Sequence, residues 1–550
     1  MAFEMIWRDA IPPQQGGYPG FNPRTLKDKG LSIEYDQAVV MRDGKKIYVD
    51  SFRPDREGRF PVIIAWGPYG KHGRLFNGDM VNCGQEHQVF SRHAIYEGPD
   101  PAYWCKNGYV VLNPDPRGLW NSEGDVSLMS RQEAEDCYDL IEWAGTQSWS
   151  NGKVGMLGVS YLAWTQWRVA SLNPPHLAAI CPWEGVSDFY REFAFHGGIP
   201  ETWFYPIFQV NCSFSRGRVE NLLELQKKHP LYDEYWESKN ADLSKITVPA
   251  LITASWTDHG LHNRGTFEGF KKIASREKYF FVHGRKKWQN FFEPVSVERQ
   301  RQFFNRFLKG IANEVKNWPA VTLEIRERYY VGKTRTEREF PIARTRYTPL
   351  YLDAARGRLT DAPGDVKSHI SYGVEDINDK TQNARFEYEF EQDTELTGYM
   401  KLKLWVEARG SDDMDLFVAV EKIDRAGYIV QFPYFGNHDD GGVALGWLRV
   451  SHRELDEAKS SAFQPVHKHR QEIKLQAGEI VPVEIELWPS GTLFEKGEKL
   501  RLIVQGSDIH AHPEGGHTMQ HRATVNKGLH VIYSGGRYDS HLLVPVIPEQ

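Results

Sequence analysis

The sequence predicts an α/β protein, a mostly parallel sheet covered by helices, joined to an all-β sandwich. Three observations carry this. Over the first 310 or so residues, short apolar runs alternate with stretches of helical periodicity. From Val321 onward the pattern changes to period-two strands separated by Gly-rich turns. At 550 residues the chain is also too long for a single core, since domains hold roughly 100–200 residues each.

Composition narrows the classes of function. With 40% hydrophobic and 25% charged residues the chain is ordinary for a globular protein, which excludes wholesale disorder. The 67 basic and 73 acidic side chains leave a net charge of −6 and no field to hold a polyanion, so no nucleic-acid partner is expected. The stretch Met1 to Asp9 lacks the basic start and apolar run of a signal peptide. No apolar run elsewhere approaches the ~18 residues of a spanning helix. A cytoplasmic protein without membrane contact is therefore expected. Cys83, Cys105, Cys137, Cys181 and Cys212 lie far apart and are odd in number, which fits neither a disulfide framework nor a zinc site.

The strand candidates of the α/β region are Pro61–Trp66, Tyr109–Asn113, Val154–Leu157, Leu177–Cys181, Ala250–Ser255 and Tyr279–His283. Between the second and third lies a helix that Ser130 and Glu133 open as a capping box. Cys137, Leu140, Ile141 and Ala144 recur along it at helical spacing, and Trp149-Ser150-Asn151-Gly152 ends the unit. From Asp188 to Ile246 the alternation is interrupted by an aromatic stretch (Phe189, Tyr190, Phe193, Phe195, then Trp203, Phe204, Tyr205, Phe208) and a charged helical one. An insertion of that size reads as a cap over the site, its aromatics shared between the cap's own core and a substrate wall. A helix with the face Phe303, Phe304, Phe307, Leu308 closes the region, and Gly310 stands where a left-handed residue is needed. Beyond the linker from Ile311 to Pro319, the runs Thr322–Arg326, Met400–Val406 and Val481–Leu487 alternate as strands. The expected division is a core of residues 1–187 and 247–318, a helical cap of 188–246 and a β-sandwich of 319–550.

The run Gly155-Met156-Leu157-Gly158-Val159-Ser160-Tyr161-Leu162 follows a strand and precedes a helix, Ala163 to Ala170. A serine there sits on a sharp turn beside a helix N-terminus, whose free amides favour an oxyanion. This is the nucleophile elbow of an α/β-hydrolase fold, although Leu162 replaces its second glycine. Ser160 as a simple helix cap is the plainer reading. In α/β-hydrolases the acid and then the base follow the serine in chain order. Asp258, just past the apolar strand Ala250–Ser255, is placed for the acid; a solvated loop aspartate is the alternative.

Several segments together resemble the cocaine esterase and X-Pro dipeptidyl-peptidase family of serine hydrolases. They are Met41-Arg42-Asp43-Gly44, Gly67-Pro68-Tyr69-Gly70-Lys71, Pro116-Arg117-Gly118 with Ser122-Glu123-Gly124, and Gln147 to Gly155 leading to Ser160-Tyr161. Gly446-Trp447-Leu448-Arg449, Leu487-Trp488-Pro489 and Gly497 to Leu502 look like the family's C-terminal jelly-roll domain. The resemblance implies Ser160 as nucleophile and Asp258 as orienting acid. It also implies an oxyanion hole made by the Tyr69 hydroxyl and the Tyr161 backbone amide, two donors that grip a developing alkoxide from both sides.

The base departs from the family pattern. Members usually carry Gly-Pro-Trp-x-His after the last strand, and the corresponding stretch is His283-Gly284-Arg285-Lys286-Lys287-Trp288, with Trp288 where the base should stand. His283, at the end of its strand and after the acid, is taken as the base, with a structural role at the strand end as the alternative. His259 and His262 lie too close to Asp258 in sequence for the usual topology. His510, His512, His517 and His521 crowd a loop of the β-domain, but no acidic or thiolate pattern accompanies them, and no metal or cofactor is expected.

The expected activity is cleavage of an ester or amide of a small, largely apolar acyl substrate through an acyl-enzyme, with ester cleavage favoured over dipeptidyl-peptidase activity. An acyltransferase or amide-forming enzyme on the same triad, and a ligand-binding homologue motivated by Trp288, are the rivals. A homodimer is open to the β-domain's surface.

Overall fold

The computed structural model describes residues 3–72, 90–510, 512 and 518–548; Cys83 and His517 lie outside them. Strands of the central sheet are numbered in chain order: β1 Arg24–Asp28, β2 Leu31–Val40, β3 Lys46–Pro54, β4 Phe60–Ile64, β5 Val110–Asp115, β6 Ser150–Val159, β7 Leu177–Trp183, β8 Ala250–Ser255, β9 Lys278–His283, β10 Val321–Arg328 and β11 Val331–Glu337. Their spatial order is β1-β2-β3-β5-β4-β6-β7-β8-β9-β10-β11, parallel from β5 to β10 and antiparallel at both edges. Parallel strands covered on both faces are apolar throughout, and β5 and β8 are buried at every residue. The strand β8 spans the residues expected for it; β6, β7 and β9 extend theirs by one to six residues, β5 is displaced towards its C-terminal end, and β4 stops at Ile64, short of the expected Trp66.

The helices are α1 Pro101–Lys106, α2 Arg131–Thr146, α3 Tyr161–Ala170, α4 Phe204–Asn211, α5 Leu222–Lys228, α6 Glu234–Lys239, α7 Asn263–Lys272, α8 Lys287–Phe292 and α9 Pro294–Lys309. Ser130 caps α2 by accepting from the Glu133 amide, but the reciprocal half of the capping box is not made. The Glu133 carboxylate instead takes the Met129 amide, the Trp66 indole and the Tyr161 hydroxyl, tying α2 to the start of α3. Gly310 ends α9 at φ 72°, the left-handed geometry expected of it.

Residues 188–246 form the insertion. They hold α4 to α6, a π-turn at Tyr190–Ala194 and two short ribbons, Phe195–His196 with Ile199–Pro200 and Arg218–Glu220 with the N-terminal Trp7–Asp9. Most of its aromatic stripe packs internally: Phe193 meets Tyr205 and Phe208 with ring centroids 5.0 and 4.8 Å apart.

The region after the linker is β-rich. Thr394–Arg409 pairs along its length with Val481–Phe494, and Asp415–Ile423 lies between Ala444–Arg449 and Lys499–Gln505. These strands enclose a second apolar core that includes Leu402, Leu404, Val418, Ile485 and Leu502. The main sheet does not stop at the expected boundary of 318/319. The strand β10 pairs with β9 and also meets Thr492, and buried Arg326 on β10 donates to the Val443 carbonyl, Ser490 and Thr492. The two halves therefore share a sheet edge as well as a packed face.

Candidate active site

Polar residues collect at the C-terminal edge of the parallel strands, where ligands bind in open α/β sheets. Ser160 leaves β6 at φ 59°, ψ −119°, a strained turn that lifts its hydroxyl over the sheet, and its carbonyl accepts from Ala163 at 2.8 Å to start α3. The elbow tolerates Leu162 because glycines make room for it. A Cβ on Gly158 would lie 2.4 Å from the Leu162 Cβ, and one on Gly67 would lie 2.4 Å from its Cδ1. The Tyr161 amide occupies the first turn of α3, where no intrahelical partner exists. Its side chain is buried with the phenol on Glu133. The Tyr69 phenol meets the Ser160 hydroxyl, and burial together with nearby Glu97 keeps it protonated.

Ser160 and Asp258 come together, but through a different histidine from the one expected. His262 Nε2 lies 3.0 Å from Ser160 Oγ, and His262 Nδ1 is hydrogen-bonded to Asp258 Oδ2. His283 does not approach the serine. Its Nδ1 accepts the Arg285 amide at 3.1 Å and its Nε2 lies 3.4 Å from Glu184 Oε1, so the ring is engaged beneath the site with Trp183. The physical reason is the turn after β8. Gly260 adopts φ +94°, and the amides of Leu261 and Asn263 return to the Asp258 carbonyl at 3.4 and 3.1 Å. The chain folds back over its own acid and delivers His262 as the residue before α7. Asp258 and the imidazole that reaches Ser160 are thus four residues apart, the spacing that the expected topology excluded.

Two further side chains were not anticipated. Lys287, at the start of α8, places Nζ 3.0 Å from Asp258 Oδ2 and 3.3 Å from His262 Nδ1. Glu97, at φ 63° in the loop before α1, accepts the Trp288 indole N–H at 2.9 Å, and its backbone carbonyl accepts from Val159 at 3.0 Å. Trp288 therefore fills the position expected of the base as a wall of the site and a donor to Glu97. Electrostatics follow from burial and these neighbours. Burial would raise the Asp258 carboxyl, but Lys287 and His262 hold it well below the usual range. Burial and then the Lys287 charge push the His262 imidazole down to about 4, against Asp258. Burial lifts the Glu97 carboxyl to about 8, against the pull of Lys287 and Trp288. Phe204 and Phe208 of α4, Leu261, Trp288 and Phe435 line a pocket at Ser160, to which Glu97 and Asn211 add polar groups.

Residues 43–286 match the X-Pro dipeptidyl-peptidase (S15 family), and residues 313–543 match the X-Pro dipeptidyl-peptidase C-terminal non-catalytic domain. Two crystal structures of a CocE/NonD family hydrolase from Staphylococcus aureus superpose with a TM-score of 0.91, at 47% and 48% identity over 94% of both chains. The chain belongs to this family of serine hydrolases. The cocaine esterase of a Rhodococcus strain is 23% identical across 95% of this chain and 100% of its own.

In this CocE/NonD hydrolase the β-rich half, matched to a non-catalytic domain, grips the loop that carries Asp258 and His262. Phe435 N donates to the Thr257 carbonyl at 3.0 Å, Leu445 N donates to His259 Nδ1 at 3.3 Å, and Asn263 Nδ2 donates to the Pro489 carbonyl at 3.3 Å. At Gly260 a Cβ would lie 3.2 Å from Met519 Cγ, a tight approach, and the positive φ of +94° strains any other residue there. Among the histidines considered for a metal, His521 pairs with Asp508 and His196, while His510 and His512 lie near Asp440. Among the described residues no helix is long and apolar enough to cross a membrane.

Proposed function

We propose that this hydrolase cleaves an ester or amide of a small, largely apolar acyl group through an acyl-enzyme on Ser160. The reading rests on one observation, the 3.0 Å contact between Ser160 Oγ and His262 Nε2 with Asp258 behind the ring. The serine proton passes to Nε2 as Oγ attacks the carbonyl carbon. Asp258 orients the imidazole and offsets its charge. The Tyr69 hydroxyl and the Tyr161 amide receive the oxyanion. Collapse of the tetrahedral adduct expels the alcohol or amine, which takes the proton from His262. Water then attacks the acyl-enzyme with His262 again as base, releasing the acid and restoring Ser160.

The aromatic wall of Phe204, Phe208 and Trp288 supports an apolar acyl group. The buried free thiols of Cys105, Cys137, Cys181 and Cys212 suit a reducing, cytoplasmic setting. We read the β-rich half as a jelly roll that acts by holding the acid–base loop. A second reading, acyl transfer to an amine or alcohol, is favoured by that same wall, which limits water; product analysis with competing nucleophiles separates the two. The test of the main reading is intact-mass analysis after treatment with a fluorophosphonate. One adduct is expected on the wild type and none on Ser160→Ala, and an equal adduct on both overturns it.

A further inference from the structure

We propose that Lys287 is a positioning residue for the acid–base pair: its ammonium pins the Asp258 carboxylate behind the ring and offsets the negative charge that His262 would otherwise face alone. The inference rests on the reading of Ser160 and His262 given above. An ammonium has no lone pair, so its 3.3 Å approach to Nδ1 is that of a second donor beside the imidazole N–H, both aimed at Asp258 Oδ2. The carboxylate is thereby held from two directions, by His262 of its own loop and by Lys287 at the start of α8, which fixes the plane in which it meets the ring. Lys287 is itself enclosed: Nζ lies 4.8 Å from the Trp288 ring centroid and 5.1 Å from that of Phe435, faces that favour a cation. Its side chain is 3% exposed.

The charge balance gives the consequence. In a triad with a lone carboxylate the acid favours the imidazolium and raises the base. Here the carboxylate is already neutralised by Lys287, and a second cation on the ring is disfavoured. The groups surrounding His262 do not reverse this. Asp258 and Lys287 of α8 act on the ring itself, and the groups acting on Asp258 behind it are His259 of the same loop, Glu97 from the loop before α1, Glu184 just past β7 with its neighbour His283, and the Tyr434 phenol of the β-rich half. Burial raises both the Glu97 and Glu184 carboxyls, so neither adds a firm negative charge in acid. Burial likewise disfavours the charged form of His259.

The experiment follows the rate of Ser160 phosphonylation by a fluorophosphonate between pH 4 and 9, which needs no knowledge of the substrate. For the wild type the rate should stay at its plateau to below pH ~5.5, under the ordinary histidine value. In Lys287→Met the acid limb should move up by about one pH unit or more, and in Lys287→Arg it should return towards the wild-type position even with a lower plateau. A wild-type limb at pH ~6.5 or above overturns the proposal whether or not the variants fold. So does a Lys287→Met protein with native circular dichroism whose plateau falls while its limb stays in place, the signature of a merely structural lysine. Absence of any adduct on the wild type, or an adduct that survives Ser160→Ala, removes the serine-hydrolase reading instead, so the two failures are distinct.

Discussion

The loop from Trp256 to His262, leaving β8, presents both an acid and an imidazole to Ser160. The neighbouring loop from His283 to Lys286, leaving β9, begins at a histidine and presents none to it. Both loops leave adjacent parallel strands at the same sheet edge, and Trp256 N donates to the His283 carbonyl at 2.9 Å. They differ in curvature and in what covers them. Gly260 bends the first loop back over Asp258, and the β-rich half holds it there; the second turns His283 onto Glu184 and hands the space near the acid to Lys287 and Trp288. An imidazole can therefore reach a serine from a loop that also carries a carboxylate when one residue of that loop adopts positive φ, and the neighbouring loop becomes free for other contacts.

The sharpest way to break this comparison is to remove each histidine. His262→Ala should lower kcat/KM for a nitrophenyl ester by about 10⁴- to 10⁶-fold, while His283→Ala should stay within about threefold. The reverse order would return the base to β9. Asp258→Asn should cost about 10⁴-fold by leaving the imidazole in the wrong tautomer, with thermal unfolding as the check that the loop is intact.

A smaller effect is expected at Glu97. Its carboxyl is raised to about 8 in the folded protein, so between the unfolded value and pH ~8 the native state holds a proton that the unfolded state has lost. Stability from this group is complete below that window and is lost as pH rises through it. Thermal unfolding followed from pH 5 to 9 should fall less steeply in Glu97→Gln than in the wild type, and parallel curves would deny Glu97 its buried proton. The smallest expected effect is at the covered side of the acid–base loop. His259→Ala leaves the buried Leu445 amide without its acceptor, a loss of about 1–3 kcal/mol, read by denaturant unfolding. An unchanged unfolding midpoint would mean that the β-rich half does not hold the loop through this contact.

Much of the fold was legible because it depends on periodicity. Ala250–Ser255 is a strand at the residues its apolar run marks, Ser130 caps α2, and Gly310 ends α9. At the site, the residue patterns around Ser160 and Asp258 are local, and both side chains lie at the ends of strands that the apolar runs mark. His262 does not stand out in the sequence, because the rule of chain order assumes that the acid and base leave successive strands. The available signal was the four-residue interval with a glycine inside it, Asp258-His259-Gly260-Leu261-His262, which has helical spacing without lying in a helix. Glu97 and Lys287 carry no such signal. Their chemistry arises from partners far along the chain, Trp288 for the one and Asp258 for the other, and no window of sequence contains both members of either pair. The continuation of the sheet through β10 was hidden similarly, because an alternating strand looks the same whichever sheet it joins.

The grip of the β-rich half on Thr257, His259 and Asn263 has a consequence for the order of events during synthesis. A ribosome that has translated as far as β10 has already made Ser160, Asp258, His262 and Lys287, but Phe435, Leu445, Pro489 and Met519, which brace the loop at Gly260, have yet to be made. Reactivity should therefore arrive late, after the distal strands dock. Chains stalled in cell-free translation before Phe435 should take up no fluorophosphonate, and full-length chains should label. Labelling in that order would mean that, through this contact, the later-made half sets the moment at which the earlier one becomes able to cut.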